Sequence, residues 1–181
     1  LPDERGRTIL HHTVDRNDLA FLRELGERGG SFAVADVETG ARPLERAAVR
    51  NRQELLPFLI EATPDLNRRA QNGLCFIHYL VSQADTTPLL RLAVQKGADP
   101  FLTTGDGSTL LHLAACKHSP PPVAAYLRNV LRLDVNQPND AGMTPLGYAM
   151  QRRYFDLVEL WLDESVAMRL DPTAHTKTLF R

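Results

Sequence analysis

Six histidines and two cysteines carry most of the chemistry this chain could perform. Cys75 precedes His78 by three positions and Cys116 precedes His118 by two. Thiolate plus imidazole is the ligand set of a zinc site, which needs about four converging donors. The two pairs lie about 40 residues apart and lack the compact Cys-x-x-Cys spacing, so the sequence predicts no metal. Glu159 and Asp163 stand one helical turn apart, as an acid–base pair would, but an exposed acidic face explains them equally well. Gly105-Asp-Gly107 is glycine-rich, yet no Gly-Lys-Ser/Thr follows to make a phosphate loop. No Gly-x-Ser-x-Gly offers a nucleophile elbow either. No constellation of catalytic groups emerges, and the reading is of a module with no enzyme activity and no cofactor of its own.

Three of the histidines are placed by something other than a ligand. Thr8-Ile-Leu-His11, Cys75-Phe-Ile-His78 and Thr109-Leu-Leu-His112 are versions of one phrase, echoed by Arg42-Pro-Leu-Glu45 and Thr144-Pro-Leu-Gly147. A glycine stands two positions before each phrase: Gly6, Gly40, Gly73, Gly107 and Gly142, at intervals of 34, 33, 34 and 35 residues. A fixed period near 33 marks stacked repeats rather than a single folded core. Each unit reads as a turn, a short inner helix, a short outer helix and a returning loop. In the second unit the inner helix is predicted from about Pro43 to Arg50, with Ala47-Ala48 keeping it narrow. Its outer stripe, Leu55 to Ile60, contains Pro57, which is expected to bend or shorten the helix. Ser119-Pro-Pro-Pro122 is expected to lengthen a loop in the fourth unit.

These residues resemble the ankyrin repeat. The fullest unit start is Gly107-Ser-Thr-Leu-Leu-His-Leu-Ala-Ala115, and the best unit end is Gly97-Ala-Asp99. The resemblance implies an all-α ankyrin-repeat solenoid of about five helix-turn-helix repeats over residues 1–164. Residues 165–181 would then be a capping segment or a degenerate sixth repeat. It also implies that His11, His78 and His112 form hydrogen bonds between adjacent turns. The remaining histidines, His12, His118 and His175, read as polar surface.

The same resemblance implies a concave face, lined by turn tips and inner-helix ends, that grips protein partners. Matching each repeat to that pattern puts Arg5 and Arg7 at a turn tip. Arg16, Arg50, Gln83, Lys117 and Arg152 fall at corresponding helix ends. Cations near helix C-termini complement the dipole, and arginine is also favoured where interfaces are strongest. A cationic ridge there would suit an acidic segment of a partner.

Composition narrows the field. The 181 residues hold 21 basic and 22 acidic side chains, a balance without the basic excess that nucleic acid or an anionic membrane surface requires. Leu55-Leu-Pro-Phe-Leu-Ile60 is far too short to span a bilayer. Two cysteines in different repeats suit a reducing, intracellular compartment. The chain opens Leu1-Pro2, with no methionine or apolar leader, which reads as a domain of a larger protein. The function expected is protein–protein recognition by a monomer. The alternative is the substrate-recognition domain of a larger enzyme. One example is a secreted bacterial effector of the ADP-riboxanase type, working on a host protein in the host cytoplasm. A third reading is a module of a eukaryotic scaffold or transcription regulator.

Overall fold

The computed structural model describes residues 2–84 and 86–162. The described residues form α-helices in pairs and no strand. In chain order they are α1 (Ile9–Arg16) and α2 (Leu19–Glu27), then α3 (Pro43–Val49) and α4 (Leu56–Ala62). Next come α5 (Phe76–Leu80) and α6 (Thr87–Gln95), then α7 (Leu110–Lys117) and α8 (Pro121–Ala125). A π-helical turn, Tyr126–Val130, continues α8. The last pair is α9 (Pro145–Gln151) and α10 (Phe155–Leu162). The cap or sixth repeat placed at 165–181, and Asp163 of the suggested carboxylate pair, lie outside the described residues.

The period begins in the backbone. The five fixed glycines all sit at φ between +66° and +76°, a left-handed conformation that a Cβ penalises. At Gly40 a Cβ would also lie 2.7 Å from Gln71 Cγ of the next repeat, so conformation and stacking both demand glycine. Inner helices stop at a second left-handed residue: Asn17, Asn51, His118 and Arg153, with φ from 52° to 60°. Beyond each, a backbone N–H reaches five residues back, as Arg52 does to Ala47 at 2.9 Å, satisfying a terminal carbonyl. In the third repeat Ala84, at the matching position, is not left-handed, and α5 is only five residues long.

Prolines open helices here and do not break them. Pro57 falls in the first turn of α4, because the helix starts at Leu56 and not at Leu55. Pro121 and Pro122 likewise open α8, with Pro120 as its cap, so the expected loop extension gives way to a helix start. The first turn has no use for a proline N–H, which explains both corrections.

Apolar faces of the helices meet in one continuous core, running from Leu10 and Val14 through Leu44, Phe76 and Leu111 to Leu157 and Trp161. Inner helices stack α1 on α3, α3 on α5 and α7 on α9, while α4 packs on α6 and α8 on α10. Between the third and fourth repeats the helices touch little, and the ties run through side chains. The Ser119 hydroxyl donates to Val81 O, and Arg91 lies 5.3 Å above the Tyr126 ring.

Candidate functional site

In α1, α5 and α7 the inner helix is locked to its own turn and to the loop that follows its helix pair by the histidine three after its cap. The Thr8 N–H donates to His11 Nδ1 at 3.0 Å, and the Thr109 N–H to His112 Nδ1 at 3.0 Å. The Cys75 N–H does the same to His78 Nδ1 at 2.9 Å. With Nδ1 accepting, Nε2 carries the proton and donates across the repeat boundary: His11 to Ala41 O at 3.1 Å, His78 to Leu102 O at 3.2 Å and His112 to Met143 O at 2.9 Å. Burial pushes all three imidazoles below their usual range, against the raising effect of the carbonyls they bond. They are therefore neutral structural pins, unsuited to proton transfer at neutral pH.

The second repeat solves the same problem with charge. Glu45 stands in the histidine position and accepts the Arg42 N–H at 2.8 Å. Its carboxylate also holds the Arg42 guanidinium, whose Nη1 donates to Asp65 O at 2.7 Å. Both side chains are at most 2 % exposed. Nothing in the sequence marked this pair beyond its departure from the Thr-x-x-His phrase.

The cysteines are also built into the scaffold. The Cys75 thiol is buried, donates to Asn67 O at 3.1 Å, and is pushed up in pKa mainly by that burial. Cys116 is half-buried, and both thiols are free. Among the described residues, no three His, Cys, Asp or Glu side chains converge as a metal site would require. Two of the polar-surface histidines have specific partners. His12 Nε2 lies 3.1 Å from Asp3, while His118 stacks on Tyr154 at 4.1 Å and reaches Asp156 at 3.0 Å.

The turn tips are zipped to one another along the stack. The Val37 N–H donates to Arg5 O at 2.9 Å, Gln71 to Thr39 O at 3.2 Å, and Asp140 to Asp106 O at 3.1 Å. Arg5 pairs with Glu38 at 3.4 Å, and Arg7 with Asp3 at 2.8 Å.

The helix-end residues fall into two groups. Arg50 sits 2.9 Å from Asp15, which also takes two 2.7 Å bonds from the Arg46 guanidinium. Burial works against the Asp15 charge, but Arg46 and Arg50 outweigh it and hold the carboxyl below its usual range. Gln83 spends its amide N–H on Ala48 O at 2.6 Å, tying the third repeat to the second. Arg16, Lys117 and Arg152 are exposed, with no carboxylate partner among the described residues. The structure thus puts all seven residues on the turn tips and inner-helix ends while occupying four of them internally. The Asp15–Arg46 bridge escapes sequence reading because its partners are 31 positions apart and meet only when repeats stack.

No described helix is long and apolar enough to cross a membrane. The family model for ankyrin repeats, in three copies, matches residues 77–172. The human transient receptor potential cation channel subfamily A member 1 is 26% identical over 177 residues, covering 94% of this chain. The palmitoyltransferase akr1 of Neurospora crassa is 25% identical over 114 residues, 63% of the chain. The nuclear factor NF-kappa-B p105 subunit of Gallus gallus is 29% identical over 118 residues, 64% of the chain. The chain spans 16%, 16% and 12% of those three proteins' lengths, so it corresponds to a region of each. Matched motifs, paired helices and histidine pins agree with the family model: the chain belongs to the ankyrin repeat family, whose repeats are protein–protein interaction modules.

Proposed function

We propose that this chain recognises an acidic segment of a partner protein through its concave face, and that it does so as a monomer. The observation that carries this reading is the register of exposed cations. Arg16, Arg50, Lys117 and Arg152 stand eight positions after the caps of α1, α3, α7 and α9. The fixed repeat converts that spacing into a ridge along the stack, and cations so arrayed steer and orient an anionic partner. Two free thiols support a reducing, intracellular setting. Catalysis is left to other parts of any larger protein, since the imidazoles of the repeat phrase are consumed as structural pins.

A second reading is favoured by one relative. The akr1 match carries the name of a palmitoyltransferase, and on this second reading the chain is the substrate-recognition domain of a larger enzyme. The named relatives are eukaryotic proteins and lend the bacterial-effector alternative no support.

The test is capture from cell lysate with three forms of the chain. One is wild type, one has Arg16, Arg50, Lys117 and Arg152 all changed to Glu, and one has the outer-helix cations Arg28 and Lys96 changed to Glu. Partners retained by the outer-helix variant and lost by the concave variant support the reading. The outer-helix variant should melt close to wild type, since exposed charges contribute about 0–1 kcal/mol each. The concave variant also sets a second carboxylate beside Asp15, so its fold is verified by circular dichroism before capture. An unchanged set of captured proteins in the concave variant would refute it.

A further inference from the structure

We infer that the partner's segment seats on the third to fifth repeats, with a carboxylate at Lys117 and Arg152 and an apolar or aromatic side chain against Tyr79, Leu113 and Tyr148. This rests on the concave-face reading above and divides that face in two.

The division appears four residues after each inner-helix cap, at His12, Arg46, Tyr79, Leu113 and Tyr148. In the first two repeats this row is already satisfied, and so is Arg50, which leaves Arg16 as the one helix-end cation there without a carboxylate partner among the described residues. His12 reaches Asp3 at 3.1 Å, and Arg46 grips Asp15 through two 2.7 Å bonds. Arg50 joins the same carboxylate at 2.9 Å. A partner binding there must compete with an ion pair whose side chains are only 13% and 25% exposed.

From the third repeat onward the row turns apolar. Tyr79, Leu113 and Tyr148 are each half-buried, presenting part of a large side chain to solvent. Two of them are held in place. The Asn72 amide donates to Tyr79 Oη at 2.6 Å, and the Tyr148 ring packs edge-on against His112 at 6.1 Å. His112 is itself fixed at both nitrogens, so the Tyr148 ring rests on a rigid support. Large aromatic surfaces that need no ordering on contact are favoured as interface anchors.

Charge gives the segment a direction. Lys117 and Arg152 are exposed at the helix ends without an internal carboxylate among the described residues. The tips of the same two repeats carry Asp106 and Asp140, both exposed. The face is positive at the helix ends and negative at the tips. A partner carboxylate is therefore drawn to the ends and repelled from the tips.

The probe is a fluorescent peptide of about twelve residues alternating Glu with Leu and Tyr, alongside a counterpart with Lys for every Glu. Both are titrated into the 181-residue chain, with anisotropy for affinity and amide shift mapping for location. The acidic peptide should bind more tightly. Its shifts should gather on α5, α7 and α9. Lys117→Glu with Arg152→Glu should weaken it by about tenfold or more, whereas Arg16→Glu with Arg50→Glu should change it by less than about threefold. If the second pair matters as much as the first, or if shifts gather on α1 and α3, the division is overturned while the concave reading stands. Shifts confined to the outer helices, with neither pair mattering, would overturn both. No binding of the acidic peptide, or preference for its lysine counterpart, would overturn the charge assignment. The shift map on wild-type protein keeps the test valid should a variant misfold.

Discussion

At residue scale, His11, His78 and His112 show how one side chain fixes a repeat boundary. Each needs a neutral ring that accepts at Nδ1 and donates at Nε2. Burial lowers their pKa from the ordinary 6.5, so the unfolded chain binds protons at higher pH than the folded one. Stability then falls as pH drops below about 6.5, because protons favour the state that takes them up first. Denaturant midpoints measured from pH 8 to pH 5 should be flat at the upper end and fall through the lower. Asp15 and Asp36, whose pKa values are lowered from 3.8, add a second loss at still lower pH. Replacing His112 by Ala should cost about 1–3 kcal/mol at pH 7.5, by orphaning the Thr109 N–H and Met143 O. It should also shallow the decline near pH 6. A midpoint that does not vary between pH 7.5 and pH 5 would contradict the pinning account.

At the scale of elements, α3 tests whether the repeat phrase is a chemical solution or only a sequence habit. Arg42 and Glu45 replace Thr and His yet close the same turn and cross to Asp65 O. Removing one partner leaves a buried charge uncompensated, so Glu45→Gln should destabilise by about 3–5 kcal/mol. The double change Arg42→Thr with Glu45→His should recover most of that loss, because it restores the pin used by the first and fourth repeats. Chemical denaturation of the two variants decides the matter, and a double variant no better than the single would show that Arg42 plays a different part. The same helix shows what the sequence could and could not disclose. The turn glycine and the helix start were legible because left-handed backbone and a proline first turn restrict residue type directly. The Arg42–Glu45 pair, the Arg50–Asp15 contact and the apolar row at Tyr79, Leu113 and Tyr148 were not. Each depends on which side chains stacking brings together, and arginine is acceptable at an exposed helix end whether or not it is paired. The π-helical turn at Tyr126–Val130 was hidden too, since its apolar spacing fits an ordinary helix.

At the scale of the whole molecule, a stack of repeats holds together only as well as its weakest interface, because each repeat touches its neighbours alone. The interface expected to open first is the one between the third and fourth repeats. There α5 is short, Ala84 lacks the left-handed cap residue found in the other four, and α5 and α7 touch little. The Ser119 hydroxyl on Val81 O ties the two sides directly, and the His78 bond to Leu102 O anchors the segment between them, beside the continuous apolar core. Two cooperative blocks follow, residues 2–98 and 104–162, with the second opening first because fewer interfaces support it among the described residues. Native-state hydrogen exchange should show amides of α7 and α9 exchanging through a lower-energy opening than those of α3 and α4. Ser119→Ala should cost about 1 kcal/mol, and the lost protection should fall on the second block while α1 to α4 keep theirs. Equal loss of protection across both blocks would mean that the stack unfolds as one unit and that the join is as strong as the others. The inferred partner surface bridges this same join, drawing Tyr79 from one side and Leu113 and Tyr148 from the other. A bound acidic segment should therefore raise protection most in α7 and α9, by suppressing the opening of the second block against the first.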